Sequence, residues 1–174
     1  MTAPAQDTGE IVHTNPWFTV ARHVAGPHQW FRIEAPDSAM VVGRTDDGRL
    51  LLVRGHRPTD PTAETLEFPG GIVDDGESPA DAAVREVAEE TGHAATALVR
   101  LGSFLQSPAI SSARCHVFGA RVTAAGAARL ESSESWSVVL ADPAQVATHV
   151  RSGLIRDSAT LAALALHAAG THDS

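Results

Sequence analysis

Three glutamates stand close together near the middle of the chain, at Glu86, Glu89 and Glu90. Because an α-helix turns by about 100° per residue, a helix through these positions would place all three carboxylates on one stripe roughly 100° wide. Like charges on such neighbouring positions repel one another by roughly 0.2–0.5 kcal/mol, and a divalent cation among them would offset that repulsion. A cation held in this way polarises a phosphoryl oxygen and activates water, so the spacing predicts metal-dependent hydrolysis of a phosphoanhydride.

The residues available as ligands favour a hard cation. Carboxylate oxygens on a rigid helix suit Mg2+ or Mn2+ better than zinc. Gly70 and Gly71 precede the helix, and their missing side chains let backbone carbonyls approach the same ion. The alternative interpretation is that the glutamates form a solvated helix face, which the fixed spacing of the surrounding residues argues against.

The helix that carries the glutamates is predicted over residues 78–90. Its boundaries are marked by a capping serine, a first-turn proline, an aspartate that complements the helix dipole and a final glycine, which are Ser78, Pro79, Asp81 and Gly92. Apolar residues occupy a neighbouring stripe that can pack against a sheet, namely Ala80, Ala83, Val84 and Val87. The helix would therefore present its carboxylates in a fixed relation to the core.

Apolar runs on both sides of this helix predict strands. Before it, the strands cover residues 17–22, 29–33, 38–44 and 49–54, and the last two form a hairpin closed by Asp46-Asp47-Gly48. After it come strands near 100–105, 115–122 and 136–140, then helices that begin at Asp142 and Asp157. We expect a flexible N-terminal arm over 1–15 and a single domain over 16–170, divided into a β-segment at 16–36 and a core at 37–170.

The composition excludes several classes of function. The chain has 174 residues and a formal net charge of −8, and its 13 basic residues, all arginines, form no cluster, so we expect no nucleic-acid partner. No apolar run approaches the ~20 residues that span a bilayer, and no secretory signal is visible, so we expect no membrane association and a cytoplasmic location. Cys115 is the single cysteine, which rules out an internal disulfide.

The string GIVDDGESPADAAVREVAEETG at residues 71–92 resembles the Nudix box, Gly-x5-Glu-x7-Arg-Glu-U-x-Glu-Glu-x-Gly-U, in which U is aliphatic. Every position matches except the last, where His93 stands. The resemblance implies an α/β fold, the Nudix α/β/α sandwich around a mixed sheet, here preceded by a small N-terminal antiparallel β-segment. It also implies cleavage of a nucleoside diphosphate linked to another moiety, with Mg2+ as cofactor and Mn2+ as a substitute.

The family's roles carry over by position. The residues that resemble metal ligands are Glu86, Glu90, Glu89 and, through its carbonyl, Gly70. Glu89 is also a candidate catalytic base. Arg85 and Glu77 resemble the pair that braces the loop before the helix against the helix.

Features outside the box resemble the ADP-ribose pyrophosphatase branch of this family. They are the sequence Glu67-Phe68-Pro69-Gly70-Gly71 before the box, Pro108 at 16 residues beyond Gly92, Asn15-Pro16-Trp17 before the core, Leu52-Val53-Arg54-Gly55-His56-Arg57 in place of Leu-Val-x-Gln-Tyr-Arg, and residues 153–160 at the start of the last helix. The resemblance makes Trp17 a candidate for contact with the base and Arg54 and Arg57 candidates for phosphate. Pro108 is the branch marker and the fourth candidate substrate-binding residue.

Two departures from the branch pattern bear on the identity of the substrate. Residues 109–114 contain no carboxylate, which many ADP-ribose enzymes have there, and Gly55-His56 replaces Gln-Tyr.

In this branch the catalytic base is usually a loop glutamate before the last strand. Glu134 matches that position best and Glu131 is second.

The resemblance predicts hydrolysis of ADP-ribose, or of a related nucleotide sugar, to AMP and a sugar phosphate. The same chemistry on another nucleotide, such as an oxidised triphosphate or a dinucleoside polyphosphate, stays open, as does a non-catalytic Nudix-fold ligand sensor. The expected partner is a small nucleotide, and the N-terminal β-segment implies a homodimer, as in relatives.

Overall fold

The computed structural model describes residues 9–130 and 135–170, which form ten strands and three helices. The strands are β1 (Glu10–Thr14), β2 (Thr19–Ala25), β3 (His28–Glu34), β4 (Ser38–Arg44), β5 (Leu50–Arg57), β6 (Asp60–Glu67), β7 (Gly70–Ile72), β8 (His93–Leu105), β9 (Arg114–Ala124) and β10 (Ser137–Ala141). The helices are α1 (Pro79–Thr91), α2 (Pro143–Ser152) and α3 (Ser158–Gly170).

The main sheet has seven strands and is mixed. Its central order is β10-β5-β4-β9-β8, in which β4 and β9 run parallel and the other neighbours run antiparallel. Strands β4 and β5 pair with each other only at the end of β4, through Gly43 and Arg44. Elsewhere the two strands are split: β7 pairs with β4 at residues 38–40, and β6 pairs with β5 from Val53 onward. The chain passes from β6 to β7 beside this split, so that Gly70 lies next to Met40.

Apolar side chains of the central strands fill both faces of the sheet. Met40 and Val42 of β4 belong to the buried cluster on the side of α2 and α3, whereas Ala39 and Val41 belong to the cluster on the side of α1. A strand buried on both faces reads as a continuous apolar run, as β4 does. The predicted α/β/α sandwich around a mixed sheet is confirmed.

A separate three-stranded antiparallel sheet, β1-β2-β3, precedes the core and confirms the predicted N-terminal β-segment. Residues 10–14 fall within the stretch expected to be a flexible arm, and instead they form β1. They do so because their backbone pairs with β2 and because Glu10 forms an ion pair with Arg22. The backbone N–H of Ile33 donates to the carbonyl of Ile110 (2.7 Å), which ties this sheet to the core.

Strands β6 and β7 were not predicted, and β8 is longer than predicted. Strand β6 begins with Asp60 and Pro61, residue types that are depleted in strands. It forms because it pairs with β5 across a short connection. Strand β8 begins at His93 rather than near residue 100 because it pairs with β9 along most of its length.

The buried face of α1 also differs from the predicted apolar stripe. Val84 is 38% exposed, and the face that contacts the sheet is formed by Ala82, Ala83 and Val87. The small alanines let the helix lie close to the sheet, which leaves Val84 at the edge of the contact. None of the helices in the described ranges has the length and apolar character that crossing a membrane requires.

Candidate active site

Helix α1 begins and ends at residues that fix its position. The Oγ of Ser78 accepts the backbone N–H of Asp81 (3.1 Å), which satisfies a donor that the first turn leaves free. Gly92 ends the helix with φ +67°. A Cβ at Gly92 would overlap the carbonyl oxygen of Gly126, so this position needs glycine both for its conformation and for space.

Arg85 joins α1 to the loop that precedes it. Its Nε and Nη2 donate to the two carboxylate oxygens of Glu77 (3.0 and 2.9 Å), and Nη2 also donates to the carbonyl of Ile72 (2.8 Å). The hydrogen bond from Arg85 is the main cause that lowers the pKa of Glu77, and the same contact raises the pKa of Arg85. The structure therefore brings together the two residues that the family resemblance pairs.

The remaining nitrogen of Arg85 lies between two of the three glutamates. Nη1 donates to Oε1 of Glu86 (2.8 Å) and to Oε2 of Glu89 (3.1 Å). Glu90 is directed away from them: it is 3% exposed and accepts the backbone N–H of Gly70 (2.9 Å). The carboxylates thus share one helix face, but they contact different groups.

Two glycines bring the backbone of β7 against these carboxylates. A Cβ at Gly70 would overlap the carbonyl oxygen of Ala39, and a Cβ at Gly71 would overlap the carboxylate of Glu86. Only glycine lets β7 approach both β4 and α1 so closely. The four residues that resemble metal ligands surround this contact, and they are Gly70, Glu86, Glu89 and Glu90.

The chemistry of this donor set fits a hard divalent cation, since it consists of carboxylate and carbonyl oxygens. Its side chains are not arranged as a metal cage: within residues 9–130 and 135–170, no three acidic, histidine or cysteine side chains converge in a ligand geometry. Nη1 of Arg85 bridges Glu86 and Glu89 instead. That bridge can open while Arg85 stays attached to Glu77, because the Glu77 contacts use Nε and Nη2.

A cavity of about 750 Å3 lies over α1 and β7, which is a typical size for a small-molecule site. The predicted residues on its wall are Trp17, Arg57, Gly70, Arg85, Glu86 and Glu89. Trp17 is 65% exposed, so its ring is available to a ligand. Asp74 and Asp75, in the loop of the box, also line the cavity and were not singled out from the sequence.

Other predicted positions are not on that wall. Arg54 forms a solvent-exposed ion pair with Glu64 of β6. Pro108 lies exposed in the turn between β8 and β9. Glu134 and Glu131 lie outside the described residues, so their roles stay predictions.

Arg57 is held against a buried carboxylate. Its Nε donates to both oxygens of Glu67 (3.2 Å each), and its Nη2 donates to Oε2. Glu67 is only 4% exposed. Burial alone would lower the pKa of Arg57, but the hydrogen bonds and charge of Glu67, with the charges of Glu90 and Asp157, raise it. The guanidinium therefore remains charged at this wall of the cavity.

Three residues of the site were missed as such by sequence reasoning: Glu67, Trp136 and Asp157. The Cζ of Arg57 lies 4.8 Å from the centroid of the Trp136 ring. Asp157 accepts a backbone N–H of the first turn of α3 (2.7 Å), burial raises its pKa, and it lines a second cavity of about 520 Å3 whose wall also includes Arg57. The β-branched Thr62 and Thr65, with the polar–apolar alternation over residues 65–68, are a signal that could have revealed β6 and hence Glu67.

Comparisons with known proteins relate the chain to nucleotide hydrolases. The NUDIX domain family model matches residues 34–152. The chain is 34% identical over 87 residues to the ADP-ribose pyrophosphatase of Bacillus subtilis (strain 168), which covers 49% of this chain and 46% of that protein. It is 38% identical over 68 residues to the ADP-sugar pyrophosphatase of Mus musculus, covering 39% and 31%. A solved structure described as ADP compounds hydrolase is similar with a TM-score of 0.76 at 23% identity, over 95% of this chain and 94% of that one.

These similarities carry different weight. The chain matches less than half of the length of each of the two curated relatives, and the solved structure, at 23% identity, supports the fold alone. The NUDIX match is broader, since it runs from the end of β3 through α2 and includes α1 with its glutamates. Because that match covers more than half of the chain, the chain belongs to the Nudix family.

Proposed function

We propose that the chain is a metal-dependent pyrophosphohydrolase that cleaves ADP-ribose, or a related nucleotide sugar, to AMP and a sugar phosphate. The observation that carries the proposal is the convergence of Glu86, Glu89 and the Gly70 backbone on one cavity that Arg57 and Trp17 also line. The names of the two curated relatives, an ADP-ribose and an ADP-sugar pyrophosphatase, support the choice of substrate.

The metal would be held by carboxylates of α1 and by the backbone of β7. Glu86, Glu89, Glu90 and the Gly70 carbonyl would hold Mg2+, or Mn2+ in its place. When bound, the cation supplies charge neutralisation at the phosphate oxygens and lowers the pKa of water. Arg85 keeps these ligands in place through Glu77, because its bidentate contact fixes the preceding loop against the helix.

The remaining residues orient the substrate and the water. Arg57 offers a charged donor to a phosphate oxygen, and Trp17 offers a ring face to the base. In the hydrolysis, the water oxygen bonds to one phosphorus, the bond between that phosphorus and the bridging oxygen breaks, and a water proton passes to a base. We assign that base to Glu134, with Glu131 and Glu89 as the alternatives.

The proposal is tested by the products released from a panel of nucleotides in Mg2+, resolved by chromatography. The panel contains ADP-ribose, nucleotide sugars, dinucleoside polyphosphates and triphosphates. We expect AMP to be released preferentially from ADP-ribose or a related nucleotide sugar, and we expect a chelator to abolish its release. Turnover of dinucleoside polyphosphates or triphosphates alone would support the reaction class but refute the proposed substrate. Turnover of none would favour a ligand sensor.

The substitution Glu86→Gln tests the metal assignment. We expect kcat to fall by at least about 100-fold, because the carboxylate charge supports an ion that stabilises the transition state by several kcal/mol. The urea midpoint of unfolding should change little, since glutamine keeps the shape of the side chain. Asp46→Asn is the matched control, because Asp46 is paired with Arg121 beyond the far end of β4. Near-normal turnover of Glu86→Gln would refute the assignment.

The substitution Glu134→Gln tests the base. We expect kcat at saturating Mg2+ to fall by about 100-fold or more, since general base catalysis contributes roughly 10²–10⁴-fold. The KM for the nucleotide should change much less, because a base acts on the water rather than on the bound substrate. An unchanged kcat would move the role to Glu131 or Glu89, which the corresponding glutamine variants would then separate.

We also propose that the protein is a homodimer. Apolar side chains on the N-terminal sheet are exposed in the single chain, including Val24 (56%) and Phe31 (49%), which the pairing of β2 with β3 places on one face. Exposed apolar patches of this kind commonly mark protein interfaces. Light scattering at micromolar concentration should give twice the mass of one chain, and the mass of a monomer would contradict the proposal.

A further inference from the structure

The guanidinium of Arg57 is held from two sides. On one side it makes the bidentate contact with Glu67, through Nε and Nη2. On the other side its Cζ lies 4.8 Å from the centroid of the Trp136 ring, which is the geometry of a cation–π contact. Since Nη1 donates to no residue in the described ranges, it is the donor left for a ligand in the cavity that Arg57 lines.

A glycine makes room for the tryptophan ring. Ser137 of β10 pairs with Arg54 of β5, which places Trp136 opposite Gly55. A Cβ at Gly55 would lie 2.6 Å from Cε3 of Trp136 and 2.8 Å from the carbonyl oxygen of Ser135, both closer than real contacts. Any side chain at position 55 would therefore displace the ring.

The alternation of β5 places Arg57 on the same face as this ring. Residues two apart on a strand point to the same face, so Arg57 follows Gly55 on the side that Trp136 covers. The ring thus rests on Gly55 and reaches Arg57 on the same strand. The glycine that departs from the Gln-Tyr-Arg pattern of relatives and the tryptophan at position 136 form one arrangement.

We propose that Trp136 is a positioning residue, which together with Glu67 fixes the plane of the Arg57 guanidinium and directs Nη1 to a phosphate oxygen of the nucleotide. This inference rests on the proposed function, because it requires a phosphorylated substrate in the cavity. A guanidinium that is already ordered loses less side-chain freedom when the phosphate binds, so the ring strengthens substrate binding. Trp136 acts through Arg57 and does not touch the reacting atoms.

The inference predicts an effect on binding that depends on Arg57. In Trp136→Leu, we expect KM for ADP-ribose in Mg2+, and the calorimetric Kd for ADP-ribose in the presence of a chelator that prevents turnover, to rise roughly three- to tenfold, with kcat changed less than about twofold. Trp136→Phe keeps a ring and should stay within about twofold of the wild type. When Arg57→Lys is already present, adding Trp136→Leu should raise KM and Kd by less than about twofold.

A second variant disturbs the contact between Arg57 and Trp136 without changing either of these residues. Gly55→Ala should push the ring away from Arg57 and raise KM and Kd as Trp136→Leu does. Thermal unfolding of each variant shows whether it is folded at the assay temperature, and the variants that are folded decide the question. Two outcomes would overturn the inference. One is that Trp136→Leu raises KM and Kd equally with and without Arg57→Lys. The other is a fall in kcat at unchanged KM, which would instead link Trp136 to Glu134, two residues earlier.

The failure of this inference can be distinguished from failure of the proposed function. If the wild type binds ADP-ribose but turns over neither it nor any nucleotide sugar of the panel, the proposed function fails, and the Kd values of the variants still decide the role of Trp136. If the wild type turns over ADP-ribose and Trp136→Leu changes neither KM nor Kd, the positioning role fails alone. If the wild type neither binds nor hydrolyses ADP-ribose or any nucleotide sugar of the panel, both are refuted.

Discussion

One guanidinium compensates the negative charge that the candidate site concentrates on a single helix. Arg85 contacts Glu77 through Nε and Nη2 and contacts both Glu86 and Glu89 through Nη1, so that the loop before α1 and the helix itself are joined by the same side chain. Without it, these carboxylates would repel one another and the loop would be held to the helix by fewer contacts. A lysine could not replace it, because a single ammonium lacks the planar set of donors that reaches several carboxylates at once.

The second requirement is close approach of the backbone to those carboxylates, and the split between β4 and β5 provides it. Because β6 and β7 occupy the separated edges, the chain between them enters the site beside β4. Glycines at 70 and 71 then let this backbone contact both β4 and the carboxylate of Glu86. The same split places Glu67, the last residue of β6, beside Arg57, so one irregularity of the sheet positions both the ligand backbone and the arginine.

Local features of the sequence were sufficient to predict α1 and its carboxylates, because helical geometry fixes how residues three and four positions apart are related. The face that α1 buries was predicted less well, since Val84 is exposed owing to the fit of the helix on the sheet. Strand β6 and the contacts of Arg57 depend on pairing between distant segments, which residue types alone do not specify. Strand β1 was missed for the same reason, because its partner β2 stabilises a segment without a strong pattern of its own.

The two arginines of β5 show how pairing decides between residues that look equivalent. Side chains alternate along a strand, so Arg54 shares a face with Leu52, on the side of α2 and α3, whereas Arg57 shares a face with Leu51, on the side of α1. Of the two, Arg57 is the one that lines the cavity over α1. Its partner, Glu67, is buried, whereas the partner of Arg54 is exposed to solvent, where an ion pair contributes little. The orientation of the strand, rather than the type of residue, thus selects the arginine that faces the site.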